Sequence, residues 1–405
     1  MRRSGEVLSL ASFVALGLPD GMLGTAWPEM RHSFSAPIGD LGLILLLSTA
    51  GSVSITFLVG RLLRRLGVAA LLAVGAVSAA SAAVGFSVAP GFGVVLALSV
   101  LFGVAAGLMD AGLNTAVGLS GRNRLLNLLH GAYGVGTAVG PVVVTLSVLS
   151  GSWRPAYVVL LVVDVVVASC WMVLRRRDPG LGAAGGPPAM PAPPAVPTPD
   201  VAAGAGSAAA HSIPSPPGLR RRSAIAAGIA TFFVYTGLEV AAGQWETTYA
   251  KGQLHLSTSA AGMATFGYWA ALTAVRVVLA FLPRPPSGQT VVRWGVTVSL
   301  VAAGCIWWEP VAAVAIVGFV VLGGAQAGVF PALIGLTPVR LGSNLAARAI
   351  SWQVGAAAAG GAAVSALVGL VIGRAGVASL GPAVTVLAVL LVALERILGR
   401  VAPAP

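Results

Sequence analysis

Asp20, Asp110, Asp164, Glu239 and Arg276 are charged side chains that fall inside long apolar runs of this chain. A charge inside a lipid-spanning helix costs about 2.5–3.5 kcal/mol on insertion scales and is kept where it faces a bundle interior or a water path, which makes each one a candidate for chemistry. That chemistry is proton exchange, since a carboxyl group in an apolar cavity can bind and release a proton near neutral pH. Asp20 sits in GLPDGMLG, where a proline and two flanking glycines loosen the helix and no basic residue lies nearby in the same run. Asp110 precedes Asn114 by four residues, which places carboxyl and amide on one helix face. Asp20 and Asp110 form the expected proton-coupling pair, with Glu239 as a third member. The bland alternative for Asp110 is a hydrogen bond to a neighbouring helix.

Polar groups able to hold a solute recur in the same runs. RLLNLLHGAYGVGTAVGPVV carries Asn127, His130, Gly134 and Thr137 on one helix face. An amide and an imidazole each donate and accept hydrogen bonds, which suits a hydroxylated compound; His130 reads equally as a ligand, a proton relay or a packing residue. YTGLEVAAGQWETTY sets Glu239 and Glu246 on one face with Gln244 and Trp245 beside them. Glu239 is expected deep and Glu246 at the outer interface, while Trp245 is either a binding residue or part of an aromatic belt. Trp352 and Gln353 put a stacking surface next to an amide, a pairing suited to sugars, with packing as the alternative. Gln326 stands on the same terms.

These residues are carried by twelve apolar spans, at about 8–30, 39–60, 68–90, 94–117, 125–149, 153–174, 223–249, 257–282, 289–308, 311–336, 344–372 and 378–398. Hydrophobic residues make up 57% of the chain, charged ones 9%, and the mean hydropathy is +0.92, which excludes a soluble domain. The net charge of +12 would point to nucleic acid in a soluble protein, but here the arginines sit in short loops. With the N-terminus in the cytoplasm, basic residues divide 19 inside against 4 outside, the outer set being Arg31, Arg154, Lys251 and Arg374. Both termini are therefore expected in the cytoplasm of a cell-membrane, multi-pass protein. No cleavable leader is expected, because the first apolar run continues as a full span. Cys170 and Cys305 fall inside spans, so neither a disulfide framework nor a metal site is expected.

Residues 178–219 are rich in Pro, Gly and Ala, lie between the triplets Arg175–Arg177 and Arg220–Arg222, and read as a disordered cytoplasmic tether. They separate residues 1–177 from 220–405, each expected to form a six-helix bundle. Slid by roughly 220 residues, the halves match: Phe13, Asp20 and Gly24 fall on Phe232, Glu239 and Gly243, and Gly103 falls on Gly323. Arg124 and Gly131 meet Arg348 and Gly355 at an offset of 224. The expected fold is thus all-α and integral to the membrane, twelve transmembrane helices in two bundles related by a pseudo-two-fold axis along the membrane normal.

On these segments the chain resembles the major facilitator superfamily, and within it the fucose permease branch of sugar–proton symporters. The resemblance rests on the Asp20 span, GLMDAGLN, RLLNLLHGAYGVG, FFVYTGLEVAAGQW and PALIGLTPVRLGS. It implies protonation at acids in spans one and four, where an acid-x-x-x-Asn pattern is matched by Asp110 and Asn114, and sugar contact at Asn127; His130 departs from the amide of that branch. The superfamily's loop signature Gly-x-Leu-x-Asp-Arg-x-Gly appears as GRLLRRLG, matched at Gly60, Leu62, Arg65 and Gly67, with Arg64 in place of the aspartate that helps latch the cytoplasmic gate. Gly136, Gly140 and Pro141 match the middle of a span-five signature of drug exporters, but Val143, Val144 and Thr145 replace its ending.

The expectation is a secondary active transporter that takes up a small polar, sugar-like solute with protons by alternating access. Its alternatives are a proton-driven efflux antiporter and a membrane sensor that transports nothing. No phosphate-binding Gly-x-x-x-x-Gly-Lys loop, Gly-x-Ser-x-Gly elbow or His-Glu-x-x-His pair is present, so no catalytic residues and no enzymatic activity are expected. The expected cofactor set is empty, with the proton gradient as energy source. Solute, protons and the lipid bilayer are the expected partners, nucleic acid is not, and the chain is read as a monomer.

Overall fold

The computed structural model of the protein describes residues 3–118, 123–177 and 218–402. The expected tether lies outside the described residues, apart from its last two positions, which already belong to a helix. A backbone in hydrocarbon must satisfy its own hydrogen bonds, so each apolar run becomes a helix. The helices are α1 (Arg3–Phe34), α2 (Leu41–Leu66), α3 (Val68–Val88), α4 (Phe92–Gly118), α5 (Asn123–Leu149) and α6 (Arg154–Arg177), then α7 (Gly218–Gly252), α8 (Thr258–Phe281), α9 (Gly288–Trp308), α10 (Ala312–Gln326), α11 (Val329–Leu341), α12 (Ser343–Ala375) and α13 (Leu380–Val401). They make 12 spans long and apolar enough to cross a membrane, α10 and α11 being the two halves of the tenth. Among the described residues there is no strand.

The spans form two bundles with the same internal plan. In the first, α1 packs on α5, α2 on α4 and α3 on α6; in the second, α7 packs on α12, α8 on α10 and α9 on α13. Each pairing in the second bundle is the counterpart of one in the first, which is the pseudo-two-fold repeat. The matched glycines play matched parts. A Cβ at Gly103 of α4 would fall 1.8 Å from the Ser48 carbonyl oxygen of α2, and one at Gly323 of α10 would fall 2.4 Å from the Tyr268 carbonyl oxygen of α8.

Small residues also set the seam between α1 and α5. A Cβ at Gly17 would lie 2.1 Å from the Tyr133 carbonyl oxygen, one at Gly21 1.9 Å from that of Thr137, and one at Gly136 2.0 Å from that of Val14. Paired small-xxx-small faces let the two backbones touch. The glycines flanking Pro19 are therefore packing sites, where the sequence reading has them loosening the helix. Gly67 does the turning between α2 and α3: its φ of 75° favours glycine, and its N–H closes α2 on the Leu63 carbonyl.

The tenth span departs from the expected continuous helix at 311–336. Pro331 has no N–H, and its ring clashes with the carbonyl four residues back, which is Ala327. The helix is interrupted between Gln326 and Val329 as a result, leaving the Gln326 and Ala327 carbonyls to find other donors.

The bundles touch mainly at the end opposite the termini. Gly42 of α2 presses on Ala366 of α12, and Gly39 on Gly369, where a Cβ would meet backbone at 2.5 and 2.9 Å. α5 lies along α8, with Gly134 against Thr273 and Gly262 against Thr145. At the termini end, α4 makes no substantial packing with α11 or α12 among the described residues.

Candidate functional site

The glycine seam between α1 and α5 brings a tyrosine to the first acid. The Tyr133 hydroxyl donates to the Asp20 carboxylate, 113 residues away in sequence. On α4 the Asn114 amide donates to Asp110 Oδ1 at 2.8 Å. His130 packs edge-on against Phe13, ring centroids 5.9 Å apart, and lies within electrostatic reach of Asp110 and of Arg276 on α8. Tyr133 in turn interacts electrostatically with Asp20, Asp110 and Glu239, so all three expected coupling acids lie in electrostatic reach of one hydroxyl. Asp20, Asp110 and His130 are exposed although they sit well inside spans, because they face the space between the bundles.

The second bundle supplies the opposite wall. The Tyr235 hydroxyl lies against the Glu239 carboxylate and against the Gln326 carbonyl oxygen, the latter at 2.9 Å. Tyr268 donates to the Glu239 backbone carbonyl at 2.8 Å, and Arg276 Nε donates to the freed Ala327 carbonyl at 3.1 Å. Thus the break in the tenth span is stitched to the cavity wall through Tyr235 and Arg276. Interrupted helices beside a midplane cavity are a transporter device, since unwound backbone survives in a membrane only where protein or water satisfies it.

Other sequence candidates fall elsewhere. Gln244 bridges the bundles, its Nε2 donating to the Asp20 backbone carbonyl at 2.7 Å. Trp245 is fully buried and donates from Nε1 to the Ser365 carbonyl at 3.0 Å, away from the cavity. Glu246, expected at the outer interface, is instead 1% exposed, and its carboxylate oxygens have no partner among the described residues; the reason is that its face of α7 is packed inside the protein, in electrostatic reach of Tyr268 on α8. Gln326 is fully buried at the helix break with both side-chain polar atoms unpartnered. Gln353 accepts from Thr337 at 2.9 Å inside the second bundle, whereas Trp352 is exposed. Asp164 is buried in α6 and is not brought to the other acids. Gly60, Arg64 and Arg65 lie in the last turns of α2, exposed, directly before Gly67. The side chain of Asn127 lies outside the described residues. No cluster of metal-ligating side chains occurs among the described residues.

Tyr133, Tyr235 and Tyr268 are site residues that the sequence reading passes over. Tyr133 had a signal, standing three residues after His130 on the polar face of α5.

Two repeated six-span bundles enclosing a cavity of acids and tyrosines, one span broken at its edge, define the architecture of a secondary transporter. The family model of the Major Facilitator Superfamily matches residues 9–366, and the chain belongs to that superfamily. It is a multi-pass membrane transporter and not an enzyme. No curated protein matches its sequence. Among solved structures, a variant of the nucleoside transporter NupG aligns with a TM-score of 0.71 at 13% identity, covering 98% of this chain and 99% of that one. The peptide transporter POT in complex with sulfate aligns with a TM-score of 0.69 at 15% identity, covering 98% and 95%. A POT family transporter in complex with 5-aminolevulinic acid gives 0.70 at 12% identity, covering 99% and 96%. At such identities the likeness is one of fold.

Proposed function

We propose that this protein couples uptake of a small polar, sugar-like solute to proton entry by alternating access. The observation that carries the reading is the pair of in-span carboxyl groups facing one cavity, Asp20 under Tyr133 and Asp110 under Asn114, with no arginine or lysine in ion-pair distance of either among the described residues. A carboxylate there carries an uncompensated charge that resists enclosure when the bundles rock; a proton removes it. Loading and release of that proton then gate reorientation. The amide of Asn114, the imidazole of His130 and the cavity tyrosines offer the mixed donors and acceptors that hydroxyl groups need. The arginine distribution supports an orientation with both termini in the cytoplasm, so that the open end of the cavity faces inward. The proton gradient is the energy source, and the protein works as a monomer in the cell membrane.

The test is proton movement in proteoliposomes on adding a monosaccharide panel, with cationic drugs as comparison. Alkalinisation outside that accompanies a sugar and disappears in Asp20→Asn and Asp110→Asn supports the symporter. Asp110→Asn should abolish pH-driven accumulation at least about tenfold while sparing solute exchange; accumulation that persists removes Asp110 from the mechanism. Proton movement with drugs alone would move the protein to the efflux antiporters.

A further inference from the structure

Arg276 is a guanidinium inside a span, about one and a half turns from the termini end of its helix. Its Nε is committed to the Ala327 carbonyl, which fixes the side chain against the broken tenth span. A guanidinium has five N–H donors in a planar fork, and the four on its terminal nitrogens have no partner among the described residues. No carboxylate among the described residues lies within ion-pair distance: the Glu239 carboxylate, the cavity acid of the same bundle, is taken by Tyr235. Arg276 also lies in electrostatic reach of His130 across the bundle interface and of Tyr235 and Tyr268 within its own bundle, which sets it among the residues between the bundles. A fixed in-span cation without a counter-ion is a place for an anion.

We propose that Arg276 anchors an anionic group of the solute, so that the transported compound is a hydroxylated carboxylic acid, such as a sugar acid, rather than a neutral sugar. The proposal rests on the transport reading above and narrows its substrate class. The terminal nitrogens hold the carboxylate bidentately, the arrangement in which arginine is strongest. His130 stands near it as a second donor, and Asn114 and Tyr133 meet the hydroxyl groups. A negative solute entering beside Asp20, Asp110 and Glu239 is repelled unless those acids carry protons, which ties anion binding to proton uptake without a further device.

The experiment is binding to the purified full-length protein in detergent, by calorimetry, of D-gluconate, D-glucuronate and L-lactate against neutral D-glucose and L-fucose. Wild type should bind the sugar acids at least about tenfold more tightly than the neutral sugars. Arg276→Gln should erase that preference, and Arg276→Lys, which keeps the charge but loses the fork, should restore part of it while showing that the position tolerates change. Neutral sugars bound as tightly as their acids, a preference that survives Arg276→Gln, or no binding by any carboxylate overturns the proposal. Lactate bound as well as gluconate through Arg276 keeps the anion site and removes the sugar-like reading. Neutral sugars that drive proton entry in Arg276→Gln as in wild type do the reverse.

Discussion

Each acid in the cavity is defined by the hydroxyl or amide that meets it. Asp20 takes its donor from another helix, whereas Asp110 and Glu239 take theirs one turn away on their own. A hydrogen bond to a charged group contributes about 1.5–3 kcal/mol, enough to fix a carboxyl rotamer in one orientation. Tyr133→Phe deletes the donor to Asp20 with almost no change in volume. It should fold with a thermal midpoint close to wild type yet lower coupled uptake at least about tenfold; uptake at the wild-type rate would mean that the hydroxyl does not position Asp20. The acids were legible in the sequence because a charge in an apolar run stands out. The tyrosines were not, because a lone phenol in such a run reads as packing until its partner is known, and Tyr133 finds Asp20 only through the fold.

At the scale of elements, backbone proximity is set by glycine. The α1–α5 seam presents Gly17 and Gly21 to Gly136 and Gly140, so close that Cβ atoms there would overlap facing backbone. Gly21→Ala should force the helices apart, destabilise the protein by about 1–3 kcal/mol and pull Tyr133 from Asp20. Gly304→Ala, on α9 where a Cβ meets nothing within 4 Å, should be neutral or stabilising by up to about 1 kcal/mol. A thermal-stability assay on the two detergent-solubilised variants separates them, and equal midpoints would deny the seam its role. The spans and their duplication could be read from hydropathy and from glycine and acid spacing. The break in the tenth span could not, since Pro331 looks like a tolerated kink until Tyr235 and Arg276 are seen holding the carbonyls it frees.

For the whole molecule, the polar contacts between described residues that join the two bundles are Gln244 to the Asp20 carbonyl, Thr247 to Thr25 at 3.3 Å, and Lys251 to Glu29 at 2.5 Å. All lie in the middle or the far half of α1 and α7, so they hold shut the end away from the termini, while the opposite end has no such ties. Alternating access requires these ties to break, and each must therefore be weak alone. The Lys251–Glu29 pair meets that demand: its side chains are 26% and 39% exposed, and pairs so placed contribute about 0.2–1 kcal/mol. Neutralising one partner should shift the closed-to-open ratio by less than about fivefold. Reversing it is stronger, because Lys251→Glu sets two carboxylates against each other at the seam. That variant should widen the distance between spin labels at Ser150 and Ala378, in a background with Cys170 and Cys305 replaced, and adding Glu29→Lys should bring the short distance back. If the single reversal leaves the distance distribution unchanged, the far end is held by the Gln244 and Thr247 contacts and the glycine packing of α2 on α12, and the ion pair plays no part in the closure.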